Sequence, residues 1–152
     1  ILGAVAARAV CFHEAMQPAF KTYSEQVVKN AAALADEMYA RGLSLVSGGT
    51  DNHLLLLSLL DRPYTGAKLA EALEQAGIIT SKSTVPGETR SPRQTSGVRF
   101  GTPALTTRGA TEDHMRQIAR AVARVAGDPD DTARIEEVGA EMRTIADSLV
   151  QI

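Results

Sequence analysis

The chain has one cysteine, no tryptophan and few other aromatic residues, 4% in all. A lone Cys11 excludes an intramolecular disulfide and any zinc site built on a cysteine cluster; it reads as a small core residue. His13, His53 and His114 lie far apart and share no H-E-x-x-H spacing, so no metal site is expected. A reducing cytoplasm is the expected compartment. There is no long apolar run either. ILGAVAARAV at 1–10 is short, carries Arg8 and lacks a basic start, which fits neither a signal peptide nor a membrane span. Charge of one sign is not in excess: 16 Lys and Arg stand against 18 Asp and Glu, for a net −2. That balance argues against a nucleic-acid partner. The chain also opens without methionine, in the middle of an apolar pattern, as a segment of something larger would.

What is present is 152 residues, 44% hydrophobic and 22% charged, enough for one packed soluble domain. An Ala-rich helical stretch at 1–16 runs into Pro18, which predicts a break or kink. A second helix is expected over 20–41, with Val27, Ala31, Leu34, Ala35 and Met38 in one stripe and Gly42 as its stop. LSLV at 43–46 and HLLLLSLL at 53–60 flank the turn SGGTDN, whose glycines permit positive φ. The second run has the length and continuity of a strand covered on both faces. Thr65 caps a helix over 65–76 that Gly77 ends. IITS at 78–81 reads as a short strand and 82–96 as a long loop, of a length usually tied to function. GVRFG at 97–101 alternates, so that in a strand Val98 and Phe100 face one way and Arg99 the other. Thr102 and Pro103 then start a turn. Two periodic helices follow at 111–126 and 130–149. The order α, β, β, α, β, β, α, α predicts an α/β (α+β type) domain with helices packed on a small, mainly antiparallel sheet. Residues 1–16 are expected to pack least well.

One segment concentrates charge. Lys82, Arg90, Arg93, Arg99 and Arg108 face the single acid Glu88, a local balance of +4 in a chain of net −2. Guanidinium forks match carboxylate and phosphate, which makes this segment a candidate anion site. A solvated basic face has the same composition. Phe100 is the only aromatic residue within it, too few for stacking bases.

SGGTDNHL (47–54), TVPGETRSP (84–92) and TSGVRFGTPALTTRG (95–109) resemble the serine hydroxymethyltransferase family, and EAMQPAFKTYSEQVVKNAAALAD (14–36) is similar to the helix that precedes those motifs there. The resemblance covers nearly the whole chain but corresponds only to the C-terminal small domain of a fold type I pyridoxal-phosphate enzyme. It implies lead-in helices at 1–41 that join a large upstream domain to the small domain at 42–152. It also implies a cytoplasmic transferase that interconverts serine and glycine with tetrahydrofolate as one-carbon acceptor, and a homodimer or higher oligomer. By the same resemblance Arg99 binds the substrate carboxylate, Ser83 and Arg93 lie in the folate region, and pyridoxal phosphate is held mainly upstream. None of Lys21, Lys29, Lys68 and Lys82 follows the threonine-rich run that carries the family's cofactor lysine. No catalytic residue is therefore expected in this segment, and the segment alone is expected to be inactive.

The residues add their own reasons. A strand arginine set against two apolar neighbours is costly to bury without an anion. Arg108 reads as a structural hold on a loop or helix C-terminus, Lys82 as an anion contact or a solvated charge, and His53 as a partly buried structural histidine; Asp51 and Asn52 shape a domain interface. Ser83 and Arg93 stand where the family commonly has asparagine and an aromatic, which leaves open an enzyme acting on α-substituted serines or a folate-independent aldolase. A non-catalytic interaction module that retains the fold is the alternative of a different class.

Overall fold

A computed structural model describes residues 2–150. Two helices open it, α1 (Leu2–Ala15) and α2 (Pro18–Ala40), the second started by a proline whose fixed φ suits the first helical position. Strands β1 (Ser44–Leu45) and β2 (Leu54–Ser58) follow, then α3 (Gly66–Gln75), β3 (Ser81–Ser83), β4 (Gly97–Gly101), α4 (Pro103–Thr107), α5 (Glu112–Gly127) and α6 (Thr132–Ser148). The Thr65 hydroxyl accepts the Lys68 amide at 3.1 Å, and Gly77 leaves the helix at φ +77°, so the cap and the terminator of α3 are the residues that local chemistry selects.

The four strands form an antiparallel sheet in the order β1-β2-β4-β3. Leu55, Leu57, Val98 and Phe100 are buried on its inner face, in one core with Leu34 and Met38 of α2, Leu69 and Leu73 of α3, Met115 and Val122 of α5, and Val138 of α6. The structure is therefore α/β, with helices packed on one small sheet. α2 also pairs with α5 at the surface, where Glu37 accepts Arg120 Nε at 2.9 Å and meets Arg41 Nη2 at 2.9 Å.

Four details differ from the sequence expectations. The strand expected at 78–81 begins only at Ser81 and extends to Ser83, because it is set by pairing with β4 (Ser81 with Arg99, Ser83 with Gly97) and not by its own apolar residues. The expected turn after Thr102 is a short helix, α4. β2 is covered on one face: Leu55 and Leu57 are buried, while Leu54, Leu56 and Ser58 are half-buried. Cys11 is exposed and not in a core, because α1 buries none of its residues. Leu2, Val5, Val10 and Phe12 all stand more than half exposed on that helix, the poor packing expected of 1–16.

Candidate functional site on the outer face of the sheet

Cross-strand partners in an antiparallel pair share a face. Leu56 of β2 and Ser81 of β3 both pair with Arg99, so the Arg99 side chain stands between them on the outer face, opposite the buried Val98 and Phe100. Ser83, paired with Gly97, lies one step along on the same face. Two glycines flank Arg99 there. A Cβ on Gly97 would sit 2.6 Å from Val85 Cγ1 and 2.7 Å from the Ser83 carbonyl, and one on Gly101 would sit 3.1 Å from Leu54 Cδ2. G-V-R-F-G thus leaves the arginine as the one long side chain that β4 projects outward.

The surrounding cations divide into committed and uncommitted ones. Arg90 donates through Nη1 to the Tyr64 carbonyl at 2.8 Å and the Leu59 carbonyl at 3.4 Å, and through Nη2 to the Arg62 carbonyl at 2.8 Å. Arg108 donates to the carbonyls of Ala146 (2.7 Å) and Val150 (3.0 Å), where it meets the negative end of the α6 dipole. Lys82 Nζ donates to the Arg93 carbonyl at 2.8 Å. Among the described residues, the guanidinium groups of Arg99 and Arg93 make no hydrogen bond or ion pair, and both residues are exposed. The +4 segment therefore reduces to two free forks, one on the sheet and one on the loop.

Two devices that sequence reasoning missed hold β4 at its ends. At its start, the Glu88 carboxylate accepts the Ser96 amide at 2.6 Å and the Ser96 hydroxyl at 2.7 Å, with the Thr89 and Arg90 amides at 3.0 and 2.9 Å. The Ser96 hydroxyl, followed by those backbone amides, holds the Glu88 pKa down to about 2 against the opposing effect of desolvation. At its end, the Thr102 hydroxyl donates to the Val27 carbonyl at 2.9 Å, and buried Asn30 donates to Thr106 Oγ1 at 2.9 Å and the Ala110 carbonyl at 2.8 Å. Glu88 was visible as the only acid in a basic segment, and Asn30 as a polar residue inside an apolar helical stripe.

His53 corrects its expectation: it is exposed, and its contribution is a carbonyl that accepts the Thr102 amide at 3.2 Å. The turn around it is closed by its own residues, Asn52 Oδ1 accepting the Leu54 amide at 2.9 Å and Thr50 Oγ1 donating to the Leu54 carbonyl. That closure holds the histidine at the tip instead of beneath it.

A sequence model described as serine hydroxymethyltransferase matches residues 2–122. The chain belongs to the serine hydroxymethyltransferase family. It is 51% identical over 145 residues to the serine hydroxymethyltransferase of Coxiella burnetii (strain CbuK_Q154), covering 95% of this chain and 34% of that protein. Against the serine hydroxymethyltransferases of Methanospirillum hungatei and Natronomonas pharaonis the identities are 49% and 50%, over 93% and 94% of this chain and 34% of each relative. The chain thus spans about a third of the length of the relatives it matches.

Serine hydroxymethyltransferases generally depend on pyridoxal phosphate. The residues described here do not make a cradle for it. Lys68 is ion-paired to Asp130 at 2.6 Å, Lys82 is tied to a backbone carbonyl, and Lys21 and Lys29 stand exposed on α2. Arg99 is exposed on the outer face of the sheet. Among the described residues no three His, Cys, Asp or Glu groups are placed to hold a metal ion, and no helix is long and apolar enough to cross a membrane.

Proposed function

We propose that this chain is the C-terminal small domain of a serine hydroxymethyltransferase that interconverts serine and glycine, and that Arg99 grips the carboxylate of the amino-acid substrate. The observation that carries the reading is the uncommitted Arg99 guanidinium on the outer face of a sheet whose neighbouring Arg90, Arg108 and Lys82 are all engaged with backbone carbonyls. Pyridoxal phosphate, held by the remainder of the protein, supplies the electron sink for breaking a bond at the substrate Cα. Arg99 supplies orientation. Two parallel N–H donors fix the carboxylate plane and thereby the other Cα substituents, so that the bond to be broken is presented in one direction. Residues 1–41 lead from an upstream large domain into the small domain at 42–152, and the apolar, exposed α1 supports burial of that lead-in within a cytoplasmic homodimer or higher oligomer.

Ser83 and Arg93 belong to the folate region in this reading. The Ser83 hydroxyl offers one hydrogen bond, and the exposed Arg93 plane stacks on the pterin ring of tetrahydrofolate. A cation at Arg93 also favours a second reading of the same fold, an enzyme on α-substituted serines or a folate-independent aldolase. Turnover with and without tetrahydrofolate separates the two.

The decisive experiment is Arg99→Lys in the full-length protein. It keeps the charge but loses the paired hydrogen bonds, and should cost about 2–4 kcal/mol in serine binding or transition-state stabilisation. Pyridoxal phosphate binding, followed by absorbance, should survive. Loss of cofactor binding with serine binding retained would overturn the role given to Arg99.

A further inference from the structure

We propose that Glu88 is a positioning residue that sets the register of β4 and thereby the side of the sheet on which Arg99 stands, an inference that rests on the carboxylate role given to Arg99 above. Side chains alternate along a strand, so a slip of one residue in β4 would carry residue 99 to the core face and bring both Val98 and Phe100 outward. Something must fix the phase where the strand begins. β4 gives the core two side chains, Val98 and Phe100, and has glycine at both ends, so a hold at the start of the strand adds to its apolar pattern.

Glu88 fixes it at Ser96, three residues before Arg99. One carboxylate oxygen takes the Ser96 amide and the other takes its hydroxyl, so Ser96 is held by two points of different direction. The Ser96 carbonyl is held from the other side by the Leu59 amide at 2.7 Å, and Ser96 is fully buried. Thr95, just before it, is a buried β-branched residue at φ +54°, in the left-handed region that such residues avoid. Backbone of that kind persists only where the surroundings over-determine it. They do: the Gly66 amide donates to the Thr95 carbonyl at 2.9 Å and the Thr95 amide to the Ser91 carbonyl at 2.9 Å, while Glu88 clamps the next residue.

Arg90 completes the device. Its three carbonyl partners lie in 59–64, the segment that leaves β2, and the Tyr64 hydroxyl fastens that segment to the Ala126 carbonyl at the end of α5. The loop at 84–96 is therefore anchored at two residues two positions apart, Glu88 to the start of the strand it feeds and Arg90 to the segment after the strand that β4 pairs with. The low pKa of Glu88 keeps the clamp ionised throughout the neutral range.

The test uses the full-length protein with Glu88→Gln, Arg99→Ala, the double variant and the milder Ser96→Ala. Glutamine places an N–H donor against one of the Ser96 donors, which opposes the clamp without removing volume. Glycine affinity by calorimetry and amide exchange at 97–101 are the readouts. Glu88→Gln should weaken glycine binding about tenfold, as a small misplacement of a positioning group does. Ser96→Ala should weaken it in the same direction by less, and exchange at 97–101 should quicken in both. The double variant should bind glycine no worse than Arg99→Ala alone. If Arg99→Ala weakens glycine binding and Glu88→Gln leaves both readouts unchanged, the positioning role falls while the Arg99 reading stands. Faster exchange with glycine affinity unchanged makes Glu88 merely structural, and multiplicative losses in the double variant show that it acts apart from Arg99; either outcome overturns the inference. If Arg99→Ala leaves glycine binding intact, the carboxylate reading and the inference fall together.

Discussion

Asn30→Ala is the perturbation whose cost the structure allows to be worked out most fully. Asn30 is fully buried on α2 and makes three side-chain hydrogen bonds: it donates to Thr106 Oγ1 at 2.9 Å and the Ala110 carbonyl at 2.8 Å, and accepts from Gln26 Nε2 at 3.0 Å. Two of those partners keep another bond after truncation. The Thr106 hydroxyl still donates to the Thr102 carbonyl at 2.8 Å, and Gln26 still donates to Glu112 at 2.9 Å. The Ala110 carbonyl has no second partner among the described residues, and Ala110 is 1% exposed. An unsatisfied buried carbonyl costs about 1–3 kcal/mol, and the vacated volume adds about 1 kcal/mol, for a total of about 2–4 kcal/mol. For a chain of this size that lowers Tm by about 5–15 °C. The assay is urea unfolding of the 152-residue chain followed by circular dichroism, with exposed Lys29→Ala as a control expected within about 0.5 kcal/mol of wild type. A cycle with Thr106→Val should show coupling between the two positions. A loss below about 0.5 kcal/mol for Asn30→Ala would refute the reasoning that this amide ties α2 to the segment after β4.

Gly97→Ala should destabilise the chain by about 1–3 kcal/mol, because the added Cβ meets Val85 and the Ser83 carbonyl; Gly3→Ala, with open space around it, is the thermal-melt control. Glu88 lies at about 2 in the folded chain against an ordinary 4.5, so its contribution to stability is complete above pH 4.5 and is lost as pH falls toward 2. Urea midpoints measured across that interval should fall less steeply in Glu88→Gln than in wild type, and parallel profiles would contradict the assignment. In the full-length protein, Arg93→Phe combined with Ser83→Asn should raise folate-dependent turnover and leave glycine affinity nearly unchanged, since the pterin and the carboxylate use different groups. No change in turnover would remove both residues from the folate region.

Local chemistry was legible in the residues themselves. The cap at Thr65, the stop at Gly77, the stripe from Val27 to Met38 and the alternation of Val98, Arg99 and Phe100 each follow from interactions within a few positions of chain, and the structure has them where the pattern puts them. The motifs around SGGTDNH and TSGVRFGTP carried the family for the same reason: they are contiguous. What only the tertiary structure decided involves partners distant in the chain. Arg90, Arg93, Arg99 and Arg108 look alike in a sequence, and their difference lies in whether a carbonyl from 59–64 or from 146–150 comes within reach. β3 begins three residues later than its apolar pattern suggests because its bounds come from hydrogen bonds to β4, not from its own side chains. Asn30 passes for a flaw in a helical stripe until α4 is folded against it, and Glu88 passes for a stray acid until the loop closes on Ser96. Cys11 and His53, read from type as inward residues, are exposed because burial depends on what packs against a position, and none of the described residues buries a side chain of α1 or the tip of the 47–53 turn.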